Sequence, residues 1–263
     1  MKKLSIFITS IFLLIGCFDQ PEITPPQFVS KTPPDSLEAH GIDAAIGNSI
    51  FLEWEEPESR EEEGLTGYYL YRGLLLNDEY DFDRIATIER EKGIIFKSDE
   101  YTDYDVSIDT MYYYYLRSYN DFTMSKETSD TVQYQLANPV SLKTPKGEIT
   151  DTNPKFEFRF RRYGIDNITH FYFYLYRLEE NGYQIKYFYK TKRFDLSRVI
   201  FNINLGVSSQ QSVILFDDVK VEEGRKYLEK GDYRWKVKAV SSRLGGSAET
   251  VGSVSDWMEF SIK

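Results

Sequence analysis

After its first 20 residues, this chain of 263 residues contains no long stretch with helical periodicity, and that absence most limits its possible folds. Short runs of alternating apolar and polar residues are instead separated by Gly, Pro, Asn and Asp. Such runs, at spacings of roughly 8–15 residues, predict β-strands packed as sandwiches. The aromatic content of 16% favours the same class, because flat rings pack well across a pleated sheet.

The predicted strands form two sets, and Ala137-Asn138-Pro139 separates them. The first set covers 49–54, 67–72, 85–88, 111–120 and 131–136. The second set covers 155–160, 171–177, 183–190, 212–216, 233–240 and 257–262. Each set occupies the length of one sandwich domain of about 100 residues or slightly more.

The two sets look like variants of one unit. The first has Trp54, then Gly67-Tyr68-Tyr69-Leu70-Tyr71-Arg72, then alternating residues from Tyr112 to Asn120, and this order resembles the fibronectin type III family. The resemblance implies that Trp54 packs in a core and that Tyr112 forms a tyrosine corner. The second set is similar in order, with Tyr233 at the matching corner and Trp235 in the core. It has Phe158 where the family has Trp.

The predicted fold is therefore all-β, with two tandem immunoglobulin-like, fibronectin type III-like β-sandwiches after a lipoprotein signal peptide. The predicted domains are 28–137 and 138–263. Residues 1–16 are a cleaved signal peptide, and residues 17–27 are a lipidated cysteine and a stiff, proline-rich tether.

The N-terminus carries this targeting prediction. Two lysines precede a short apolar run of about 12 residues, too short for the roughly 20 that a spanning helix needs. The run ends in Leu14-Ile15-Gly16-Cys17, which resembles a bacterial lipobox. That resemblance implies acylation of Cys17, attachment to the membrane through this lipid and, since Asp19 is not directly after Cys17, outer-membrane localisation. An ordinary signal with a chance cysteine and a buried apolar helix are the alternatives.

Charge is divided unevenly along the chain. Residues 19–137 contain 26 acidic and 9 basic residues, whereas residues 138–263 contain 16 and 21. The acidic first half argues against a nucleic-acid partner. The imbalance has two interpretations, namely orientation of a partner and plain solubility.

No cofactor, metal or catalytic group is predicted. One Cys and two His, His40 and His170, are too few for a Cys/His zinc site. Seven Glu lie within 53–63, and acidic sets lie near 78–83 and 99–105, but none has the spacing of a calcium loop, and solvated loops are the alternative to a cation site. His170 lacks a nucleophile partner, and Gly245-Gly246-Ser247 predicts a turn. A small hydrolase remains a remote alternative.

The candidate binding face is a row of tyrosines in the second half. Strict alternation from His170 places Tyr172, Tyr174 and Tyr176 on one face, and Tyr187 and Tyr189 of the next strand extend it. An exposed tyrosine patch suits docking to a protein or stacking on a glycan. Cross-strand ring packing, or coverage by residues 191–223, is the structural alternative.

These observations together predict a non-catalytic cell-envelope lipoprotein that binds or scaffolds an envelope protein. Carbohydrate binding or adhesion through the tyrosine face is the alternative function.

Overall fold

The structure is a computed structural model of the chain that describes residues 22–30, 41–90, 99–161, 168, 170–191, 200–203, 211–213, 227–242 and 249–263. These residues form β-strands and a single 3-10 turn at Glu58–Arg60. The strands are β1 (Gln27–Phe28), β2 (Ile42–Ala45), β3 (Ser49–Glu55), β4 (Gly67–Leu76), β5 (Glu79–Glu89), β6 (Glu100–Asp103), β7 (Met111–Tyr119), β8 (Val132–Leu136), β9 (Ser141–Thr144), β10 (Gly147–Ile149), β11 (Phe156–Arg159), β12 (His170–Glu179), β13 (Gly182–Thr191), β14 (Ile200–Ile203), β15 (Gln211–Val213), β16 (Gly231–Ser242), β17 (Glu249–Val254) and β18 (Met258–Ile262).

The fold is all-β, with two tandem sandwiches, as the sequence predicts. In the first sandwich, a small sheet centred on β3, with β1, β2 and β6, packs against β8, β7, β4 and β5. In the second, the three-stranded sheet β14-β11-β9 packs against the sheet that contains β13, β12 and β16. Among the described residues, no helix is long and apolar enough to cross a membrane.

The aromatic residues assigned to the core from the sequence lie in these two interiors. Trp54 packs edge-on against Tyr68 in the first, with ring centroids 5.6 Å apart. Tyr112 is buried, and its hydroxyl accepts the Ser107 backbone N–H at 3.0 Å. Tyr233 is buried in the second interior and donates to the Glu229 carbonyl at 2.8 Å. Both tyrosines thus tie a strand to the loop just before it, which is the geometry of a tyrosine corner.

Trp235 is fully buried at the centre of the second interior. Its indole is edge-on to Phe156 at 5.2 Å, and its Nε1 donates to the Pro145 carbonyl at 3.1 Å. The polar atom of this large ring is therefore satisfied inside the core, as a buried Trp requires.

A single 11-stranded sheet runs through both sandwiches. The link is the parallel pairing of β8 with β17, in which Gln135 lies opposite Val251 and Leu136 lies opposite Gly252. The Ala137 N–H also donates to the Gly252 carbonyl at 2.8 Å. A Cβ on Gly252 would lie only 2.4 Å from the Tyr134 hydroxyl, so this close crossing requires glycine.

The two cores lie on opposite sides of that shared sheet. Val254 of β17 packs in the first core, whereas Val251 of the same strand packs in the second. Residues three apart on a strand point to opposite faces. On its own part of the sheet, each sandwich therefore packs its core against one side. The two sandwiches use opposite sides.

The end of the predicted tether is packed onto the first sandwich. Ile23 is 2% exposed and belongs to the first core, and Thr24 donates from its N–H and its hydroxyl to Glu63 at 3.0 and 2.7 Å. Residues 23 and 24 of the predicted stiff tether are thus packed against the first sandwich, because Ile23 gains apolar burial that a solvated linker would forgo. Residues 1–21, with Cys17, lie outside the described residues.

Buried tyrosines predict a loss of stability at alkaline pH. Burial raises the pKa of Tyr233 to about 12. Burial also raises the pKa of Tyr68, with help from nearby Glu56, and that of Tyr114, with help from Asp103. Below pH 10 folded and unfolded chains keep the phenol protons, so the contribution is fully present. Above pH 10 the unfolded chain loses them first, and the free energy of unfolding falls until the folded groups titrate.

Urea unfolding at intervals from pH 8 to about pH 12 measures this loss. For each buried tyrosine, the free energy of unfolding should fall by up to about 1.4 kcal/mol per pH unit. Tyr233→Phe is the matched variant. It loses the hydrogen bond to Glu229 at every pH, but its stability should fall less steeply above pH 10. An unchanged slope in this variant would contradict the prediction for Tyr233.

Candidate functional site

The tyrosine row of β12 is not an exposed face. Tyr172 and Tyr174 are each 3% exposed, and Tyr176 is half-buried. Tyr172 stacks on Phe188 with ring centroids 5.7 Å apart, and Tyr174 contacts the same ring at 4.9 Å. The expected flat, solvent-facing patch is therefore wrong, because side chains of the flanking strands β13 and β16 cover the rings.

Simple alternation along β13 also predicts the wrong side of the sheet for Tyr187. The pairing of β12 with β13 shifts register between Leu175 and Tyr176, so that Tyr187 lies opposite Leu175 in the second core and is 7% exposed. A β-bulge adds one residue to a strand and moves the residues beyond it to the other face. Tyr189 lies on β13, but its side chain is outside the described part of the chain.

Cations of β16 face the tyrosines of β12. Arg234, Lys236 and Lys238 lie opposite Tyr176, Tyr174 and Tyr172 in the strand pairing. Lys236 lies over the Tyr174 ring at 5.1 Å and over the Trp257 ring at 4.6 Å. Arg234 lies over the Trp257 ring at 4.2 Å and the Tyr183 ring at 4.0 Å. This side of β12 and β16 is thus a positively charged aromatic surface.

A buried ion pair joins this surface to the first sandwich. Asp43 of β2 is 0% exposed and accepts a charge-assisted hydrogen bond from Lys238 Nζ of β16. The Tyr134 hydroxyl and the Ala44 N–H donate to Asp43 Oδ1 at 3.2 and 2.7 Å. The carboxylate therefore has three donors from three strands, which offsets its desolvation and fixes how the two sandwiches meet.

A cleft of about 290 Å³ opens beside this ion pair, between the sandwiches. Its first wall is formed by the β2 end and the β6 region, and its second wall by the outer face of β12, β16 and β17. The lining residues are Asp43, Ala44, Ala45, Ile46, Thr102, Tyr104, Tyr174, Lys236, Lys238 and Val254. Tyr174 is thus the one predicted face residue that borders a described cavity.

The larger aromatic surface belongs to the first sandwich, on the side of β4, β5 and β7 opposite its core. We call it the aromatic face, and its rings are Tyr69, Tyr71, Tyr80, Phe82, Tyr113, Tyr115 and Tyr119. Tyr69 stacks on Tyr119 at 4.3 Å, and Tyr71 stacks on Tyr115 at 4.6 Å. Tyr80 is 56% exposed and lies edge-on to Tyr113 at 4.9 Å. The rings support one another and form a preorganised, partly exposed platform.

Glycine at position 73 leaves space for the Phe82 ring within this platform. A Cβ there would lie 2.5 Å from the Phe82 ring and 2.8 Å from the Asp81 carbonyl. Phe82 therefore lies directly across the β4 backbone and reaches Tyr115, with ring centroids 4.7 Å apart. Close approach of this kind is a usual reason for glycine within a strand.

Charged groups of both signs lie at these rings. Arg84 lies over the Tyr69 ring at 4.7 Å, and burial together with the nearby Glu89 raises the pKa of Tyr119. The acidic residues of 79–83 are exposed, but they alternate with the rings of β5 and therefore point to the other side of the sheet. The aromatic face thus combines a cluster of rings with mixed charge.

The acidic loops have structural partners. Glu63 holds Thr24, and hydrogen bonds from Ser59 and Thr24 outweigh its slight burial and lower its pKa. Asp103 accepts from Arg72 Nη1 at 3.0 Å and from the Tyr114 hydroxyl at 3.0 Å. The described residues contain no group of three or more His, Cys, Asp or Glu placed to hold a metal ion. His170 packs edge-on against Tyr172, with ring centroids 6.4 Å apart.

The sequence prediction missed the aromatic face, although a signal for it was present. Tyr69 and Tyr71 alternate with Tyr68 and Leu70, so half of the rings in that strand must face away from the core. The same alternation recurs in 112–116. Only the pairing of β4 between β5 and β7 brings the outward rings together.

Comparison with known proteins does not assign the chain to a family. No protein-family model matches the chain, and no curated protein matches it. Among solved structures it is similar to the crystal structure of the chicken CNTN1 FN1–FN3 domains, at 11% sequence identity and a TM-score of 0.28. The alignment covers 91% of this chain and 66% of that one, so this chain spans just under two thirds of its length.

Proposed function

We propose that this protein is a non-catalytic lipoprotein of the cell envelope that binds a protein partner through the aromatic face of its first sandwich. The single observation that carries the proposal is the cluster of seven outward aromatic rings on β4, β5 and β7. Tyr and Phe offer large contact area at low entropic cost, and they are enriched at protein interfaces.

The charge at the aromatic face is of both signs and suits a mixed protein surface. Arg84 lies over the Tyr69 ring at 4.7 Å, and Glu89 lies close enough to Tyr119 to help raise its pKa, after burial. Aromatic rings with isolated charges of both signs are a usual composition of a protein interface, and such charges give specificity more than affinity.

Lipid on Cys17 would hold the first sandwich close to the membrane. Ile23 is already packed into this sandwich, so only five residues separate the proposed anchor from the body. The six steps from Cys17 to Ile23 span at most about 20 Å when fully extended. The partner would then be an envelope protein that the first sandwich can reach from the outer membrane, which is the localisation we propose.

In-cell photo-crosslinking from position 80 tests the proposal. Tyr80 is 56% exposed, and Tyr227 in the second sandwich, at 58%, is the matched control position. We expect a dominant protein adduct from position 80 and none of that mass from position 227. The lipid on Cys17 is checked separately, by mass spectrometry of the mature N-terminus.

Two variants probe the chemistry of the contact. Phe82→Ser removes a central ring and should reduce capture about tenfold or more, as the loss of a buried interface aromatic does. Asp81→Ser changes the neighbouring residue, whose side chain points to the other side of β5, so it is the matched control and should leave capture unchanged. Unchanged capture by Phe82→Ser, with circular dichroism showing a folded chain, would refute protein docking at this face.

A further inference from the structure

We propose that the loop of residues 120–125 in the first sandwich contacts the lipid surface in which Cys17 is anchored, through the side chains of Phe122 and Met124. We call this loop the apolar loop. The inference rests on the lipid on Cys17 that belongs to the proposed function, and it is independent of the partner at the aromatic face. In the described part of the chain, Phe122 is the most exposed large hydrophobic side chain, at 83%, and Met124 is 46% exposed.

Hydrogen bonds hold the apolar loop in one conformation. Asn120 Oδ1 accepts from the N–H groups of Phe122 and Thr123, both at 2.9 Å, and the Asn120 N–H donates to the Thr123 carbonyl at 2.9 Å. The Ser125 N–H donates to the Ser118 carbonyl at 2.8 Å. Such side-chain turns fix the backbone locally. The loop therefore presents Phe122 to solvent in a preorganised way, which lowers the entropic cost of a contact.

The apolar loop lies at the end of the first sandwich that the proposed anchor reaches. Asn120 Nδ2 donates to the Glu63 carbonyl at 3.0 Å, and the Glu63 carboxylate accepts from Thr24. The base of the loop and the start of the packed N-terminal segment are thus bonded to the same residue. The seven steps from Cys17 to Thr24 span at most about 25 Å. Lipid on Cys17 would therefore hold Phe122 near the membrane surface.

The second sandwich is attached at the opposite end of the first. The strand β8 pairs with β17 at Gln135 and Leu136. The strand β7 is antiparallel to β8, with Met111 opposite Gln135, so its last residue, Tyr119, lies at the other end. The apolar loop follows Tyr119 directly. The end of the first sandwich that carries the loop is therefore the end away from the second sandwich.

The charge around the apolar loop favours a zwitterionic lipid surface over an anionic one. The exposed carboxylates of Glu58, Glu62 and Asp121 outnumber the exposed ammonium of Lys126. The two arginines nearby form ion pairs with glutamates within residues 56–61. An acidic surrounding of this kind repels anionic headgroups, whereas apolar side chains enter a neutral interface without that penalty.

The lipid and the apolar loop would act together. Two apolar side chains are too few to hold a protein on a membrane by themselves. Once the lipid on Cys17 is inserted, however, contact of the loop with the same membrane is an intramolecular event with a high effective concentration. The lipid would thus provide the attachment, and Phe122 would set the orientation of the first sandwich on the surface.

Fluorescence quenching in vesicles tests this inference. The lipidated mature chain carries an environment-sensitive label at Phe122→Cys, in phosphatidylcholine vesicles with nitroxide groups on the acyl chains. Cys17 is the sole cysteine and its thiol would carry the lipid, so the introduced thiol is labelled selectively. We expect quenching at least about threefold stronger than at the control position, as for a side chain held at the headgroup boundary.

The matched control position is Tyr104, substituted as Tyr104→Cys. Tyr104 is 73% exposed and follows Asp103, which pairs with Ile50 near the start of β3, whereas the N-terminal segment pairs with the other end of that strand. Equal quenching at positions 122 and 104, in a chain whose lipid is verified by mass spectrometry, would overturn the loop contact and leave the anchor intact. A chain without lipid on Cys17 would refute the anchor and this inference together.

A second variant assigns the contact to the phenyl ring. With the label at Met124→Cys instead, Phe122→Ser should reduce quenching at least about twofold, because the ring that enters the interface is removed. Glu127→Ser, at an exposed position just outside the loop, should leave quenching unchanged. If Phe122→Ser left quenching unchanged but lowered protein capture from position 80, the loop would be a protein contact, and the proposal would be wrong.

Discussion

Replacing Asp43 by alanine will lower the free energy of unfolding by about 3 to 5 kcal/mol. The substitution leaves Lys238 Nζ charged in an interior where its residue is only 7% exposed, and it also removes an acceptor from the Tyr134 hydroxyl. Removing one partner from a buried ion pair costs far more than a surface pair contributes. Urea unfolding followed by circular dichroism measures the loss directly.

The control and the double variant make this prediction specific. Asp256→Ala removes an exposed aspartate from the loop between β17 and β18. Its effect on the free energy of unfolding should be within about 0.5 kcal/mol of zero. Asp43→Ala combined with Lys238→Met removes both charges, so the double variant should be more stable than Asp43→Ala alone. If Asp43→Ala matched Asp256→Ala, the ion pair would have no role in joining the sandwiches.

Trp235→Ala will cost about 3 to 5 kcal/mol, the usual loss for a buried indole. It will also destabilise the first sandwich, although Trp235 lies in the second. The indole fills the space between Phe156 and Phe173, and removing it leaves a cavity beside β16. The continuous sheet from β16 through β17 to β8 should transmit the loss, so that both sandwiches unfold in one transition.

The tryptophans provide the reporter for that transition. The chain has three, so in a Trp257→Phe background the Trp235→Ala chain retains only Trp54, in the first core. Its fluorescence should change at the same lowered urea concentration as the circular dichroism signal. A Trp54 transition that stays where it lies in the Trp257→Phe parent would show that the sandwiches unfold independently.

The strand pattern of the chain was largely predictable because alternation and turn residues are local signals. The predicted strands at 49–54, 67–72 and 111–120 correspond to β3, β4 and β7. The resemblance to the fibronectin type III family implies core positions for Trp54, Tyr112, Tyr233 and Trp235, and all four are buried.

The candidate site was less predictable because it depends on partners distant in sequence. The strand β17 was missed, since Gly252 and Ser253 weaken its strand pattern, yet it joins the two halves. The burial of Tyr172 and Tyr174 depends on Phe188 and on the β16 cations. The bulge that turns Tyr187 inward leaves no mark in the alternation.

The arrangement of the two cores separates the aromatic face from the cleft. The aromatic face lies on the side of the long sheet that holds the second core, whereas the cleft lies on the side that holds the first. A protein docked on the aromatic face, as proposed above, would therefore approach the sheet from the side away from the cleft. It would leave the buried ion pair that joins the two sandwiches undisturbed.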